Sequence, residues 1–358
     1  MRPIENGRRN GRPEAESAAV RVALRPIRRA LNPHPKLFAE ALDSYGIRTY
    51  EMDFRLSRFP WAADLIILHW PDEFFFFHSA KRTVKAWILA AQLWLSKLRG
   101  QSLVWVVHNL EPHRKGAPLT VLNQQFLRRV DGLIFLSEQS RRLANARYPR
   151  LRDKPNIVLP HGTYESKSPP SAPRPLEEGP AKLCFIGQVR RYKGPDVLAA
   201  TVAGMPAAQV ELTIAGWCSE EDLRADLESA ASPNITLRLS YQSDEALEML
   251  VDGHDAVVLP YRDIMNSGSV LFALSRARPV LAPRLGSLIE LREEVGADWI
   301  YLYEGEFSDI VLAEFLTWLR ANRRAAAPDL SAQAWSKIGR LAADFVTTLA
   351  RGPRENGA

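Results

Sequence analysis

The amino-acid sequence predicts an α/β protein with two parallel sheets, one in each half of the chain, and a cleft between them. Three observations support this prediction. Short apolar runs alternate with amphipathic stretches, which is the pattern of buried strands connected by helices. A proline-rich segment interrupts the pattern once, after which it restarts. The 358 residues are enough for two domains that each bury a core.

Six strand-like runs lie in the first half, with helical patterns such as 35–45 and 121–130 between some of them. Strands that are apolar throughout indicate a sheet whose two faces are both covered. The predicted strands are Val20–Leu24, Ile47–Met52, Ala63–His69, Leu103–His108, Gly132–Leu136 and Asn156–Leu159.

Residues 164–180 contain five prolines and few large apolar side chains, which is typical of an interdomain linker. Two amphipathic segments, 310–321 and 331–349, close the chain. Between the linker and these segments, strand-like runs recur at Lys182–Ile186, Val210–Ala215, Ile235–Leu239, Ala256–Leu259 and Pro279–Ala282.

These patterns divide the chain into Rossmann-like domains at residues 19–163 and 181–330, followed by a C-terminal helix at 331–350. Residues 1–18 are polar and are expected to be a disordered basic tail. Ligands of open parallel sheets bind beyond the carboxyl ends of the strands, so a functional site is expected in the loops that follow them.

The net charge of +6 is concentrated at the N-terminus, since residues 1–30 contain eight arginines and three glutamates. The nearly neutral remainder argues against a nucleic-acid-binding face. The basic N-terminus either contacts phosphates or anionic lipid, or is a solvated tail. No apolar run fits a transmembrane helix or a signal peptide, and two cysteines are too few for a disulfide framework. We therefore expect a cytoplasmic protein.

The loop at 185–194 directly follows a predicted strand. Gly187 allows a tight backbone turn, after which Arg190 and Lys193 lie over the strand end. Arginine can bind a phosphate through two hydrogen bonds and lysine acts as a point charge, so the pair suits a diphosphate. The alternative is a solvated basic loop.

A second loop, at 260–269, leads into a short predicted helix. Asn266 or Ser267 can cap that helix, and Gly268 leaves room for a ligand beside the first N–H groups of the helix. Capping alone is the other interpretation. Two anion sites in the same half of the chain favour a nucleotide diphosphate over a single phosphate.

Histidines and carboxylates follow two strands of the first half, at 69–73 and 108–113, and His161 follows a third strand. A carboxylate there can act as a general base, and a histidine can bind a hydroxyl or a phosphate. Each of these residues taken alone could equally be a satisfied loop residue. The sequence has no His-x-x-x-His pair and no Asp-x-Asp motif, so no metal site is predicted. The candidate carboxylates are Asp72, Glu73 and Glu111.

Helical periodicity at 79–98 predicts an amphipathic helix. Leu89, Leu93 and Trp94 widen its apolar face beyond the width that one core contact needs, and basic residues lie at both ends. The helix is therefore either a core helix or one that lies in a bilayer interface. The predicted apolar face consists of Val84, Trp87, Ile88, Ala91, Leu95 and Leu98.

Five segments carry a family resemblance, in order, over residues 20–345. They are HWPDEFF (69–75), VVHNLEPHR (106–114), LPHGTY (159–164), FIGQVRRYKG (185–194) and NSGSVLFALSRARPVLAP (266–283). Together they resemble a GT-B glycosyltransferase of the family 4 type, and the bacterial exopolysaccharide glycosyltransferases.

The resemblance implies a GT-B fold in which the second domain binds a sugar-nucleotide donor. Arg190 and Lys193 would hold the diphosphate, and the backbone of Ser267–Ser269 would donate N–H groups to it. Glu290 matches a donor-binding glutamate of the family, and His108 matches a histidine near the donor sugar. The first domain would bind the acceptor, and the last helix would cross back to it.

Retaining members of the family usually carry two glutamates at the positions of Ile264 and Phe272, and a glycine at that of Ala277. The chain departs from them at all three positions. Its length and the segment 108–113 resemble instead the inverting, GDP-mannose-dependent β-mannosyltransferases of polysaccharide assembly.

Inversion needs a carboxylate that deprotonates the acceptor hydroxyl as it attacks. Glu111 is the preferred candidate, because His108 and His113 could orient it. Asp72 and Glu73 are the other two candidates.

The resemblance thus implies a cytoplasmic enzyme that moves mannose from GDP-mannose to a lipid-linked saccharide in exopolysaccharide assembly, without a metal or other cofactor. It would be peripheral on the inner face of the plasma membrane, with an anionic membrane surface as a partner and no nucleic acid. Two alternatives stay open. One is a retaining family 4-like transferase that uses a UDP-sugar, and the other is a non-catalytic GT-B subunit or sugar-nucleotide sensor.

Overall fold

The fold is taken from a computed structural model, which describes residues 19–28, 32–55, 59–76, 80–110, 121–164, 168–172, 179–322 and 324–352. Over these residues the chain forms two six-stranded parallel sheets with helices around them. Among the described helices, none combines the length and the apolar character that a bilayer crossing requires.

The first sheet has the strand order β2-β1-β3-β4-β5-β6, and all of its pairings are parallel. All six strands predicted in the first half are confirmed, with ends shifted by at most two residues. The strands are β1 (Arg21–Arg25), β2 (Arg48–Glu51), β3 (Leu65–His69), β4 (Ser102–Val107), β5 (Gly132–Phe135) and β6 (Asn156–Val158).

Five helices lie between or after its strands within the described residues: α1 (His34–Asp43), α2 (Asp72–Phe75), α3 (Ala80–Leu98), α4 (Val121–Arg129) and α5 (Glu138–Arg147). Strand residues alternate between two apolar clusters, because successive side chains of a strand point to opposite faces. Trp105 belongs to one cluster, while its neighbours Val104 and Val106 belong to the other. The sheet is therefore covered on both sides, as the all-apolar strands predict.

The second sheet has the order β12-β11-β10-β7-β8-β9 and is also parallel. Five of its strands are as predicted, while the edge strand β12 was not predicted from the sequence. The strands are β7 (Ala181–Ile186), β8 (Val210–Ala215), β9 (Ile235–Arg238), β10 (Ala256–Val258), β11 (Val280–Pro283) and β12 (Ile300–Tyr303). The helices are α6 (Pro195–Ala203), α7 (Glu221–Ser229), α8 (Asp244–Asp252), α9 (Gly268–Ser275), α10 (Leu288–Val295) and α11 (Asp309–Ala321).

The last helix, α12 (Trp335–Arg351), packs on the first sheet although it follows the second one in the chain. Ile338, Ala342 and Val346 are buried in the same apolar cluster as strand residues of the first sheet. Gly339 permits the contact with α1, since a β-carbon there would lie 2.7 Å from the carbonyl oxygen of Ala41. The chain therefore passes twice between its two halves.

Helix α3 is amphipathic, but its orientation differs from a core helix built on the predicted apolar face. Ala86, Leu89 and Leu93 are buried, whereas much of the predicted face points to solvent. We name Val84, Trp87, Trp94 and Leu98 the apolar stripe of α3. Their exposed fractions are 54% to 64%.

Candidate active site

A cavity of about 670 Å³ lies between the carboxyl-terminal ends of the two sheets. Both halves of the chain contribute to its walls, as the sequence predicts for a cleft site. Among the lining residues are all but two of the predicted site residues: Asp72, Glu73, His108, Gly187, Arg190, Lys193, Ser267, Gly268 and Ser269. Glu111 lies outside the described residues, and Glu290 has another position, given below.

The loop after β7 brings two cations to the cavity. Gly187 turns the chain with φ of 106°, and a β-carbon there would lie 2.6 Å from the Ser269 hydroxyl oxygen. This close approach sets the loop against the start of α9. Nη1 of Arg190 lies 2.5 Å from the Ser219 Oγ and 3.3 Å from Glu220 Oε1, which orients the guanidinium.

Lys193 is partly buried in the same loop. Burial, with a smaller contribution from the charge of Arg190, lowers the pKa of Lys193 to about 8. Removing the ammonium from water disfavours its charged form. An anion beside it would stabilise that form, because little water screens the attraction between the two charges. The neighbouring Arg191 differs, because its guanidinium is held by Asp222 and Asp226.

The start of α9 presents backbone N–H groups to the cavity. Ser267 is the cap, with its hydroxyl accepting from the N–H of Val270 at 3.3 Å, so of the two predicted candidates Ser267 fills this position. The Ser267 hydroxyl also lies 2.8 Å from that of Tyr261. Gly268 follows, and a β-carbon there would overlap the hydroxyl of Tyr164. The helix start therefore combines open N–H groups with little side-chain bulk, which suits an anion.

On the opposite wall, α2 places Asp72 and Glu73 in its first turn, with Asp72 buried and Glu73 partly buried. Trp70, just before α2, has φ of 49°, a conformation that a bulky residue seldom adopts. Its ring stacks on that of His108, with centroids 4.1 Å apart. The turn after β3 thus fixes both the carboxylates and one face of His108.

Four histidines meet beneath this wall. Nδ1 of His69 lies 2.9 Å from Nε2 of His108, and the rings of His34 and His161 are 4.3 Å apart. Burial, and then the neighbouring imidazoles, lowers the pKa of His34 well below its usual value. Burial lowers the pKa of His161 to about 4, and its hydrogen bond to the Gly162 carbonyl opposes this weakly. The rings of His34 and His161 are therefore neutral near pH 7.

Three of these histidines were identified from the sequence because each ends or follows a strand, at β3, β4 and β6. His34 was missed, since it opens a helix several residues after β1. The strand order could have identified it, because β1 lies beside β3 and the loops that follow these two strands meet at the same edge of the sheet. The fifth histidine of interest, His113, lies outside the described residues.

Comparison with known proteins identifies the family. Residues 180–312 match the family described as "Glycosyl transferases group 1". The chain is 35% identical over 321 residues to the GDP-mannose:glycolipid 4-beta-D-mannosyltransferase of Xanthomonas campestris pv. campestris, covering 87% of this chain and 86% of that protein. The chain belongs to this glycosyltransferase family. It is accordingly an enzyme of the transferase class.

Solved structures support the same fold for this glycosyltransferase. Sucrose-phosphate synthase from Thermosynechococcus elongatus superimposes with a TM-score of 0.62 at 14% identity, covering 92% of this chain and 99% of that one. Anabaena HepE in complex with UDP gives a TM-score of 0.59 at 16% identity, with 92% and 96% covered. The GT-B fold implied by the sequence resemblance is confirmed.

The glycosyltransferase has an apolar cavity wall where retaining relatives were expected to carry glutamates. Ile264 and Phe272 both line the cavity, and the Phe272 ring packs edge-on against Tyr164 with centroids 5.7 Å apart. Ala277 has φ of 51°, the region that a glycine adopts without strain. Ala277 therefore occupies a backbone conformation that suits the glycine usual at this position, although it carries a β-carbon.

Glu290 of the glycosyltransferase connects the two halves of the chain. Its carboxylate accepts from the backbone N–H groups of Glu138 at 2.8 Å and Gln139 at 2.6 Å, at the start of α5. A second link joins the amide of Asn266 to the His108 carbonyl oxygen at 3.2 Å. The predicted role of Glu290 in donor binding therefore stays a prediction, since its carboxylate here has other partners.

Proposed function

We propose that this glycosyltransferase transfers mannose from GDP-mannose to a lipid-linked saccharide, with inversion at the anomeric carbon, in exopolysaccharide assembly. One observation carries the proposal. A single cavity has cations and a helix N-terminus on one wall, and carboxylates and a histidine on the other. The relative from Xanthomonas is named for GDP-mannose and a glycolipid, which supports this donor and this class of acceptor.

Donor binding would rest on charge neutralisation by the protein. Arg190 can bind the diphosphate through two hydrogen bonds, Lys193 adds a point charge, and the first N–H groups of α9 complete the site. We propose that no divalent cation is needed for this, because two cations and a helix dipole already face the two phosphates. Donor affinity should then not rise on addition of Mg²⁺ or Mn²⁺.

In the transfer step, the acceptor hydroxyl oxygen forms a bond to the anomeric carbon while the bond from that carbon to the phosphate oxygen breaks. The hydroxyl proton passes to a carboxylate, and GDP leaves with its added negative charge held by Arg190 and Lys193. Glu111 is proposed as the proton acceptor. Asp72 and Glu73 are the alternatives that the cavity offers.

The donor assignment is tested by thermal shift with GDP-mannose, UDP-glucose, UDP-glucuronate, GDP and UDP. A ligand at about 100 times its dissociation constant stabilises a protein by roughly 2.7 kcal/mol. We expect a shift with the guanine nucleotides that is lost in Arg190→Ala/Lys193→Ala. Arg191→Ala is the matched control, because that guanidinium is occupied by Asp222 and Asp226. A shift with the uridine nucleotides alone would support the retaining alternative, and none at all would favour a non-catalytic subunit.

The base is identified by comparing Glu111→Gln, Asp72→Asn and Glu73→Gln in a transfer assay with a lipid-linked acceptor. Loss of the base should lower kcat by 100-fold or more, a magnitude typical of general-base catalysis (about 10²–10⁴-fold), while donor affinity stays unchanged. Full turnover in Glu111→Gln would exclude it. NMR analysis of the anomeric configuration of the product tests inversion directly.

We also propose that the apolar stripe of α3 docks on the anionic inner face of the plasma membrane. Val84, Trp87, Trp94 and Leu98 recur at helical spacing on the solvent side, and large aromatic side chains favour the interface of a bilayer. Lys85 and Arg99 are exposed beside them, which suits anionic headgroups. A glycolipid acceptor would be presented at that surface.

Co-sedimentation with liposomes tests the docking. Wild type should bind vesicles that contain phosphatidylglycerol and bind pure phosphatidylcholine more weakly. Trp87→Ser/Trp94→Ser should lose most binding, whereas Ile310→Ser, at an exposed apolar residue of the other half, should not. Equal binding by the two variants would contradict the proposal.

A further inference from the structure

Three histidines from neighbouring segments lie close together beneath the wall of the cleft that carries Asp72 and Glu73, which we name the acceptor wall. His34 opens α1, His69 ends β3, and His108 follows β4. Because β1, β3 and β4 are adjacent in the sheet, the segments that follow them meet at the same edge. One ring nitrogen from each histidine lies within 4.8 Å of those of the other two.

The three side chains are buried, with 2%, 2% and 7% of their surface exposed. Neither ring nitrogen of His34 has a hydrogen-bond partner among the described residues. A buried polar group without a partner costs about 1–3 kcal/mol. The cost is explained if the ring has a ligand that the protein itself does not supply.

We propose that His34, His69 and His108 form a binding site for a divalent transition metal, with Zn²⁺ as the best match. Imidazole nitrogen is a preferred ligand of zinc, and three histidines with one open position form a known zinc ligand set. The arrangement contains only nitrogen ligands, which disfavours Mg²⁺ and Ca²⁺. The site shares His108 with the cavity wall but contains none of the proposed diphosphate-binding residues, and it does not depend on the proposed function.

The distance between His69 and His108 is close to what a tetrahedral site requires, and a ring nitrogen of His34 lies within 4.8 Å of both. Zinc–nitrogen bonds of about 2.0–2.1 Å place two ligand nitrogens about 3.3 Å apart. Nδ1 of His69 and Nε2 of His108 are 2.9 Å apart, so the two rings need to separate by only a few tenths of an ångström. When the metal binds, the proton between these two nitrogens would move to the other nitrogen of the donating ring, so that both imidazoles bind in their neutral form.

A metal here would hold the starts of the turns after β1, β3 and β4 in fixed positions. Those turns carry Trp70 and Asp72, and His108 itself lines the cavity. The site would therefore stabilise the acceptor wall, and its loss should lower the unfolding temperature of the apo enzyme.

The test uses the untagged full-length chain after treatment with a chelator. Zn²⁺ is added and measured by mass spectrometry after gel filtration, and Co²⁺ is added as a spectroscopic probe of tetrahedral nitrogen ligation. We expect one metal ion per chain, visible absorption from bound Co²⁺, and a higher unfolding temperature with Zn²⁺.

His34→Phe retains a ring of similar size and should weaken Zn²⁺ binding by roughly 100-fold or more. Removing even a residue that only hydrogen-bonds to a metal ligand lowers metal affinity by about 10- to 100-fold, and loss of a ligand should cost more. His254→Phe is the matched control, because His254 lies in the second half and is bonded to Thr213 and Leu250. Circular dichroism of each variant establishes that it is folded. Absence of stoichiometric binding in wild type, or unchanged affinity in folded His34→Phe, would overturn the proposal.

Discussion

Glu290 and Gln139, which lie in helices of different halves of the chain, are joined by a hydrogen bond of 2.6 Å from the backbone N–H of Gln139 to the carboxylate. The N–H of Glu138 donates to the other carboxylate oxygen. Both groups are at the start of α5, where a helix favours negative charge. An anionic side chain of one half thus caps a helix of the other, which links the two walls of the cleft.

Replacing Glu290 by alanine should therefore weaken the contact between the halves. Loss of two hydrogen bonds to a charged group predicts a decrease of about 1–3 kcal/mol in the free energy of unfolding, measured by denaturant titration. Glu293→Ala, an exposed residue on the same helix, is the control. An unchanged unfolding free energy together with weaker donor binding would instead support the donor-binding role implied by the family resemblance.

Donor affinity should fall as the pH rises through about 8. The pKa of Lys193 in the free protein is lowered to about 8, so its ammonium loses its proton above that pH. A diphosphate binds the charged form, and the dissociation constant should then increase by up to about tenfold per pH unit. Lys193→Arg keeps the charge and should give a flat profile between pH 7 and 9. A wild-type profile that is equally flat would contradict this role for Lys193.

A glycine at position 268 should be required for full stability of the fold, because the Tyr164 hydroxyl lies against it. Gly268→Ala introduces a β-carbon that overlaps this oxygen, and such overpacking typically costs about 1–3 kcal/mol. Tyr164→Phe removes the oxygen, so the double variant should recover most of the lost stability. Thermal unfolding of the four proteins measures this coupling, and additive effects of the two substitutions would show that the clash is not the cause.

Ala277→Gly should stabilise the enzyme. The left-handed conformation costs a residue with a β-carbon roughly 1–2 kcal/mol, whereas the extra flexibility of glycine in the unfolded chain costs about 0.5–1 kcal/mol. The net gain expected is about 0.5–1 kcal/mol, visible as a higher urea midpoint. Ala273→Gly, in the interior of α9, should have the opposite effect.

Strands such as β3, β4 and β10 were accessible to sequence analysis because nearly all of their residues are apolar, and this pattern depends only on burial. The cap at Ser267 was accessible for a similar reason, since capping is a local property of four residues. β12 was missed although Ile300 to Tyr303 is rich in aromatic side chains. It is an edge strand of four residues in which Tyr301 and Leu302 are only partly buried.

Other features depend on which segments meet in space, and the sequence pattern does not contain that information. The orientation of α3 is one example, because both of its faces carry large apolar side chains and periodicity alone cannot choose between them. The partner of Glu290 is another, since Gln139 is 151 positions away. His34 joins the other histidines only through the strand order.

The two passages of the chain between its halves lie side by side. The N–H of Thr163 donates to the Gln333 carbonyl at 3.0 Å, and the Trp335 indole donates to the Thr163 carbonyl at 2.7 Å. Two adjacent connections resist twisting far better than a single one, yet both can bend about the line that joins them. The two halves of the enzyme should therefore open by rotation about a hinge at these residues. The hydrogen bonds of Glu290 would hold the cleft closed.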